Sequence, residues 1–274
     1  MTVPALNRLP LVTYGLLALF CAVTAWRWQT DTTLLLIGSS VLMFACCWTS
    51  AIHLLGARAA LNFVVIGVAF GWFAEQMGAS YGWFFGRYTY TDVLGPQLGA
   101  VPAIIPLMWF ALTYVAYVIA NLIVWQDPAQ HETHLGWSVA MSLLAAMIVT
   151  AYDLGADPYM VFTLKAWLMT STDGWWFTET LQGFVGWAVV SFAIIFAFRM
   201  SVRKRVLRPA LPVASWHVLA PLGIYGASMA FQVAAGSPVE TRTVALFAMG
   251  IPLLCALFGW ARWHGQRARQ GAAA

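Results

Sequence analysis

The sequence predicts an all-α polytopic integral membrane bundle of about eight transmembrane helices, with two polar, aromatic loops on the non-cytoplasmic face. Three observations predict it. The chain is 61% hydrophobic and only 9% charged, against about 25% charged residues in soluble domains, and its mean hydropathy is +0.76. Its apolar residues fall into runs close to the length of about 20 residues that crosses a bilayer. Its lysines and arginines collect in alternate connections, the bias that orients membrane helices. Such a composition leaves almost no room for a soluble domain. Residues 1–274 therefore read as a single membrane domain, with 263–274 a short, disordered, basic tail.

The first span covers residues 11–28. Its basic flank also fits a signal peptide, but Trp26-Arg27-Trp28 and an immediate second span favour a retained helix. The second span covers 33–55 and the third 61–77, ending at a carboxylate, Glu75. The others are 101–125, 136–152, 183–199, 215–234 and 243–263. Proline disfavours helix at the residue before it. The fifth span is therefore expected to end at about Asp157, ahead of Pro158, leaving 158–168 as a short re-entrant or interfacial helix.

With the N-terminus inside, the inside connections hold Arg8, Arg58, Arg199, Arg203, Lys204, Arg205, Arg208, Arg262, Arg267 and Arg269, and the outside ones only Arg27, Arg87, Lys165 and Arg242. This predicts a multi-pass protein of the cell (plasma) membrane with both termini cytoplasmic. The net charge of +4 serves topology and gives no reason to expect a nucleic-acid partner. Cys21, Cys46, Cys47 and Cys255 all fall in apolar spans and read as small buried hydrophobes.

Two stretches break the apolar pattern, and the charge bias puts them on the same face. The first runs from Glu75 to Pro106. It holds Glu75, glycines at 78, 82 and 86, the aromatic run Tyr81, Trp83, Phe84, Phe85, Tyr88 and Tyr90, then Asp92 and Leu94-Gly95-Pro96. The second holds Asp153-x-x-x-Asp157-Pro158, Lys165, Asp173, Trp175-Trp176-Phe177, Glu179 and Gly186-Trp187. Aromatics there also fit an interface belt, and helix-end carboxylates also fit headgroup water. Yet an ionisable residue in a span is a functional candidate by default. Two nearby carboxylates in a low dielectric cannot both ionise easily, so one keeps a proton and can act as an acid. Asp153 is expected to lie deeper than Asp157, which makes it the first choice for that acid. The aromatic faces of Trp72, Trp83, Phe85, Tyr88, Tyr90, Trp109, Trp175 and Trp176 are candidate walls for a conjugated or cationic ligand.

Other chemistries lack their residues. The sequence has no Gly-x-Ser-x-Gly, Walker loop, dinucleotide fingerprint or paired-cysteine site. His131-x-x-His134 is the only histidine cluster, too few for a membrane di-iron centre, and no metal or cofactor is expected. Asp-x-x-x-Asp also occurs in magnesium-diphosphate sites of membrane prenyltransferases, which carry more carboxylates and basic partners.

The chain resembles a membrane carotenoid-biosynthesis family, that of the CruF-type carotenoid 1',2'-hydratases and bisanhydrobacterioruberin hydratases. The resemblance lies in Glu75-x-x-Gly78, Gly82-x-x-x-Gly86-x-Tyr88-x-Tyr90, Leu94-Gly95-Pro96, Val101-Pro102, Ile105-Pro106-Leu107-x-Trp109, Asp153-x-x-x-Asp157-Pro158 and Gly186-Trp187, about the middle half of the chain. Where the family pattern has Tyr-Gly-Val-Pro and an Asn shortly before Gly-Trp, this chain has Phe177-Thr178-Glu179-Thr180-Leu181-Gln182-Gly183. Thr180 and Gly183 replace the Pro and the Asn. The resemblance implies a cofactor-independent hydratase that adds water to the terminal C1',2' double bond of an acyclic carotenoid. It makes Asp153 or Asp157 the acid and Glu75 the water-positioning partner, with the carotenoid, membrane lipid and other carotenoid-pathway enzymes as partners. Two alternatives stand beside it: a non-enzymatic carotenoid- or isoprenoid-binding membrane protein, and a magnesium-dependent prenyltransferase-like enzyme.

Overall fold

The computed structural model describes residues 8–130, 133–171, 173–177, 179–204 and 213–273, with side chains as far as 269. His131, Thr178, Arg205 and Arg208 lie outside the described residues. Eight helices are long and apolar enough to cross a membrane: α1 (Leu9–Gln29), α2 (Thr33–Leu55), α3 (Ala57–Tyr81), α4 (Ile104–Trp125), α5 (Leu135–Pro158), α6 (Leu181–Val202), α7 (Leu219–Ala235) and α8 (Glu240–Ala273). The protein is an all-α polytopic bundle, as its sequence predicts.

One helix is the hub. The apolar window of α4 is 78% buried, against 22% for α1 and α8, and every residue from Trp109 to Leu122 is buried. A helix apolar on all sides belongs inside. Six helices, α2, α3, α5, α6, α7 and α8, pack against it, and α1 packs on α2 and α7. Two helices approach it closely: α8, where a Cβ at Gly259 would run into the Leu122 carbonyl oxygen, and α3, through Gly67 and Gly71. A Cβ at Gly67 would lie 2.9 Å from the Phe110 Cα, and one at Gly71 would lie 2.7 Å from the Trp109 ring. Small residues four apart let helices pack tightly where no hydrophobic effect drives them together. Here they also fix the ring of Trp109. Cys46 and Cys47 are buried as expected, whereas Cys21 and Cys255 are exposed on the outside of the bundle.

At one end the two polar stretches meet. Tyr88–Tyr90 (β1) pairs antiparallel with Trp167–Met169 (β4), in the register Tyr88↔Met169, Thr89↔Leu168 and Tyr90↔Trp167. Between them Gln97–Leu98 (β2) and Val101–Pro102 (β3) form a small hairpin. The Trp72 indole donates to the Leu98 carbonyl at 3.1 Å and ties that hairpin to α3.

Three boundaries differ from the sequence expectation, each for a local reason. The fifth span does not stop before Pro158. It continues through it and ends in a π turn, Tyr159–Leu164. Pro158 has no N–H for the Leu154 carbonyl, but the Trp176 indole donates to that carbonyl at 3.2 Å. A partner supplied from another segment lets the helix run on. Where a disordered tail is expected after Trp263, α8 continues to Ala273. The Arg267 guanidinium donates to the Val213 carbonyl at 2.9 Å and lies over Trp263. Arg27 is no loop charge either. It sits buried in the last turn of α1, clamped at 2.8 Å on Asp31.

Candidate active site

The ends of α1, α3, α5 and α7 and the starts of α2, α4 and α6 enclose a cavity beneath the β1–β4 pair. The space open to the centres of water-sized spheres is about 140 Å³, and one water needs roughly 10–15 Å³ of it. Its floor is apolar, with Phe20, Met43, Ile104, Met108 and Leu112. Four carboxyl groups line it: Glu75, Asp153, Asp157 and Glu179.

Glu75 is held from three sides. It is 5% exposed. Its Oε2 accepts from the hydroxyls of Tyr88 and Tyr90, the latter at 2.7 Å, and its Oε1 accepts from the Trp109 indole at 2.9 Å. Alternation along β1 puts Tyr88 and Tyr90 on one face of the strand, which explains why both reach the same carboxylate. Burial, then the charge of Glu75, raises both phenols well above their ordinary pKa. They stay protonated and remain donors. Three donors thus occupy both oxygens of its carboxyl group.

Asp153 is the opposite case. It is 2% exposed, and its Oδ2 has no hydrogen-bond partner among the described residues. Asp157, one turn on, is only half-buried. The depth order expected from the sequence therefore holds. The Asp157 carboxyl takes side-chain hydrogen bonds from Trp167 and Glu179. Two carboxyl groups can share such a bond only around a proton. Glu179 carries it: burial, followed by the charge of Asp157, pushes its pKa up to about 12. Its Oε1 and the Thr180 hydroxyl have no hydrogen-bond partner among the described residues.

The aromatic wall differs in part from the expected one. Phe85, Tyr88, Tyr90 and Trp109 line the cavity. Trp72, Trp83, Trp175 and Trp176 do not. Trp72 holds the hairpin and Trp176 the carbonyl freed by Pro158, while Trp83 and Trp175 are 53% and 76% exposed. Trp167 and Trp187 complete the wall instead. The Trp187 ring lies 4.5 Å from that of Trp109, and the Trp167 ring 5.9 Å from that of Tyr90. Glu179 and Trp187 were visible as residues of the second polar stretch, but nothing in their spacing showed that they face Asp157 and Trp109. Arg27 also lines the cavity, neutralised by Asp31, and Tyr159 donates to the same Asp31 at 2.8 Å. Among the described residues no three His, Cys, Asp or Glu side chains are grouped to hold a metal ion.

Known proteins add two findings. Residues 7–257 match the family model described as "Carotenoid biosynthesis protein". The chain is also similar to a bisanhydrobacterioruberin hydratase of Haloarcula japonica, at 27% identity over 159 residues. That match takes in 58% of this chain and 50% of the relative, so it spans about half of the relative's length. No solved structure matches. With the family model matching nearly the whole chain, from α1 into α8 and through both polar stretches, the chain belongs to the carotenoid biosynthesis protein family.

Proposed function

We propose that this protein adds water to the terminal C1',2' double bond of an acyclic carotenoid by acid catalysis, without a cofactor. The observation that carries the reading is the buried Asp153 carboxyl, whose Oδ2 has no hydrogen-bond partner among the described residues, in an apolar cavity with aromatic walls. The cavity has room for a branched alkene end and a water rather than for a whole polyene. The similarity to a hydratase supports the same reaction class.

The Asp153 carboxyl gives its proton to C2', the less substituted alkene carbon. The π pair forms the new C–H bond and leaves a tertiary cation at C1'. Water attacks C1' with a lone pair and loses a proton to the Asp153 carboxylate, which restores the acid. Glu75, fixed by three donors, keeps a negative charge at the wall and stabilises the cation. With both oxygens already receiving hydrogen bonds, it suits this task better than the water positioning expected of it from the sequence. Asp157, ionised and bonded to protonated Glu179, places a second charge nearby. The faces of Trp109, Trp167 and Trp187 add cation–π attraction. The chain's partners are then the carotenoid, the lipid that delivers it and the enzymes of the same pathway.

Expression in a host that makes an acyclic carotenoid tests the reaction, because the hydrated pigment is heavier by one water. An unchanged but retained pigment favours a binding protein, and a magnesium-dependent product favours prenyl transfer. We also place both termini and the basic 203–208 connection on the cytoplasmic side of the plasma membrane. Cysteines introduced at Gln97 and Lys204 should then label from opposite sides. Labelling from one side would overturn that orientation.

A further inference from the structure

Thr180 stands at the N-cap of α6, yet its side chain makes no capping hydrogen bond. That is unusual for threonine, whose hydroxyl at this position normally accepts from a backbone N–H of the first turn. Thr32, at the N-cap of α2, does so, accepting from the Leu35 N–H. The Thr180 backbone starts its helix normally, with the Gly183 N–H on its carbonyl at 3.0 Å. Only the hydroxyl is diverted. Thr180 lines the cavity, and its Oγ1 is buried with no hydrogen-bond partner among the described residues.

Two more buried oxygens on the cavity wall share that condition, Glu179 Oε1 and Asp153 Oδ2. Both residues are 2% exposed. Glu179 adjoins Thr180 in the chain and feels the charge of both Asp157 and Asp153. Buried polar atoms take partners. A donor hydroxyl and two carboxyl oxygens lining one cavity are a set able to hold a single water, which needs two to four polar partners.

Resting on the hydratase reading above, we propose that Thr180, Glu179 and Asp153 hold the nucleophilic water. The Thr180 hydroxyl donates to the water oxygen. The two water hydrogens go to Glu179 Oε1 and to the Asp153 carboxylate that has just given up its proton. One lone pair is left for C1'. As it attacks, the O–H bond towards Asp153 breaks and the acid is restored. Thr180 is a positioning residue that acts through this water.

Membranes in D2O provide the test, since they report protonation and water capture separately. Thr180→Val keeps the shape and removes the hydroxyl, and with no capping bond to lose it should fold as the parent does. Its hydration should fall roughly ten- to a hundredfold, the scale of misplacing a reacting group by about an ångström. Asp153 should still deliver a deuteron to C2'. The uncaptured cation then loses a proton, so the recovered unhydrated carotenoid gains deuterium. Thr180→Ser, which keeps the hydroxyl, should hydrate nearly as the parent does. Parent-like hydration by Thr180→Val overturns the proposal, as does lost hydration with no deuterium in the recovered alkene. A parent protein that gives neither hydrated pigment nor exchange overturns the hydratase reading first.

Discussion

The two polar stretches look alike in sequence, each a carboxylate followed by glycines and aromatics, yet they are built to opposite ends. In the first, the carboxylate is saturated: Tyr88, Tyr90 and Trp109 all donate to Glu75. In the second, Asp153, Glu179 and Thr180 each keep a buried oxygen without a hydrogen-bond partner among the described residues. A satisfied buried network rigidifies, and an unsatisfied group persists only where function or a ligand requires it. The first stretch is thus the fixed charge and frame, and the second the reacting wall. Backbone strain does not separate them. Phe84 in the first, and Lys165 and Phe177 in the second, all adopt positive φ, at 62°, 50° and 47°, as residues near functional sites do.

The largest test of this contrast is Asp153→Asn. The change keeps shape and removes the transferable proton. Hydration should fall by roughly two to four orders of magnitude, the share a general acid supplies. Thermal stability in detergent should stay near that of the parent, since no hydrogen bond to Oδ2 is lost. Near-parental activity would move the acid elsewhere, with Glu75 first in line.

Glu75→Gln should show the complementary pattern. Its amide turns an N–H2 towards one of three donors, and a buried donor left unmatched costs about 1–3 kcal/mol. Loss of the charge should lower the rate less than Asp153→Asn does, so the two variants are compared by melting temperature. Glu75→Gln should melt several degrees lower, and equal melting temperatures would erase the distinction between frame and reacting wall.

The aromatics give a smaller effect. Trp187→Leu and Trp167→Leu each remove a π face from the cavity, worth about 2 kcal/mol when desolvated, or roughly thirtyfold in rate. Trp83→Leu and Trp175→Leu alter exposed rings and should leave the rate within about twofold. If the exposed pair mattered more, the carotenoid would lie over the loops rather than beneath them.

Much of this was legible in the sequence, and the reasons for the rest are physical. Span length and charge bias gave eight helices and the meeting of the two stretches, because the bilayer and the alternation of direction leave little choice. Tyr88 and Tyr90 were visible as wall candidates, but the short strand that turns both towards Glu75 was not. The tryptophans could not be told apart. Trp72, Trp83, Trp109, Trp167, Trp175, Trp176 and Trp187 share one composition signal, and only the fold separates a wall from a strap. Trp176 illustrates the difficulty: its partner is a carbonyl exposed by Pro158, and that pairing follows only once the helix is seen to continue. Glu179 was hidden for a related reason. Its partner, Asp157, is 22 residues away and is brought to it by the return of the chain from α5 to α6.

The smallest predicted effect falls on that same residue. Burial, then the charge of Asp157, raises the Glu179 pKa to about 12. A carboxyl group is neutral below its pKa, so Glu179 carries its proton through the neutral range. A protonated carboxyl is one donor and one acceptor, and glutamine supplies both from the same positions. Glu179→Gln should therefore hydrate within a fewfold of the parent, with an unchanged pH profile between about pH 5 and 9. Glu179→Leu removes the donor on Asp157 together with the acceptor for water, and should lose activity much more. A Gln variant whose alkaline limb shifts would show that Glu179 ionises in that range. The second stretch would then hold its charge on Glu179 and not on Asp157, and the contrast with the fixed charge at Glu75 would need to be drawn between those two residues.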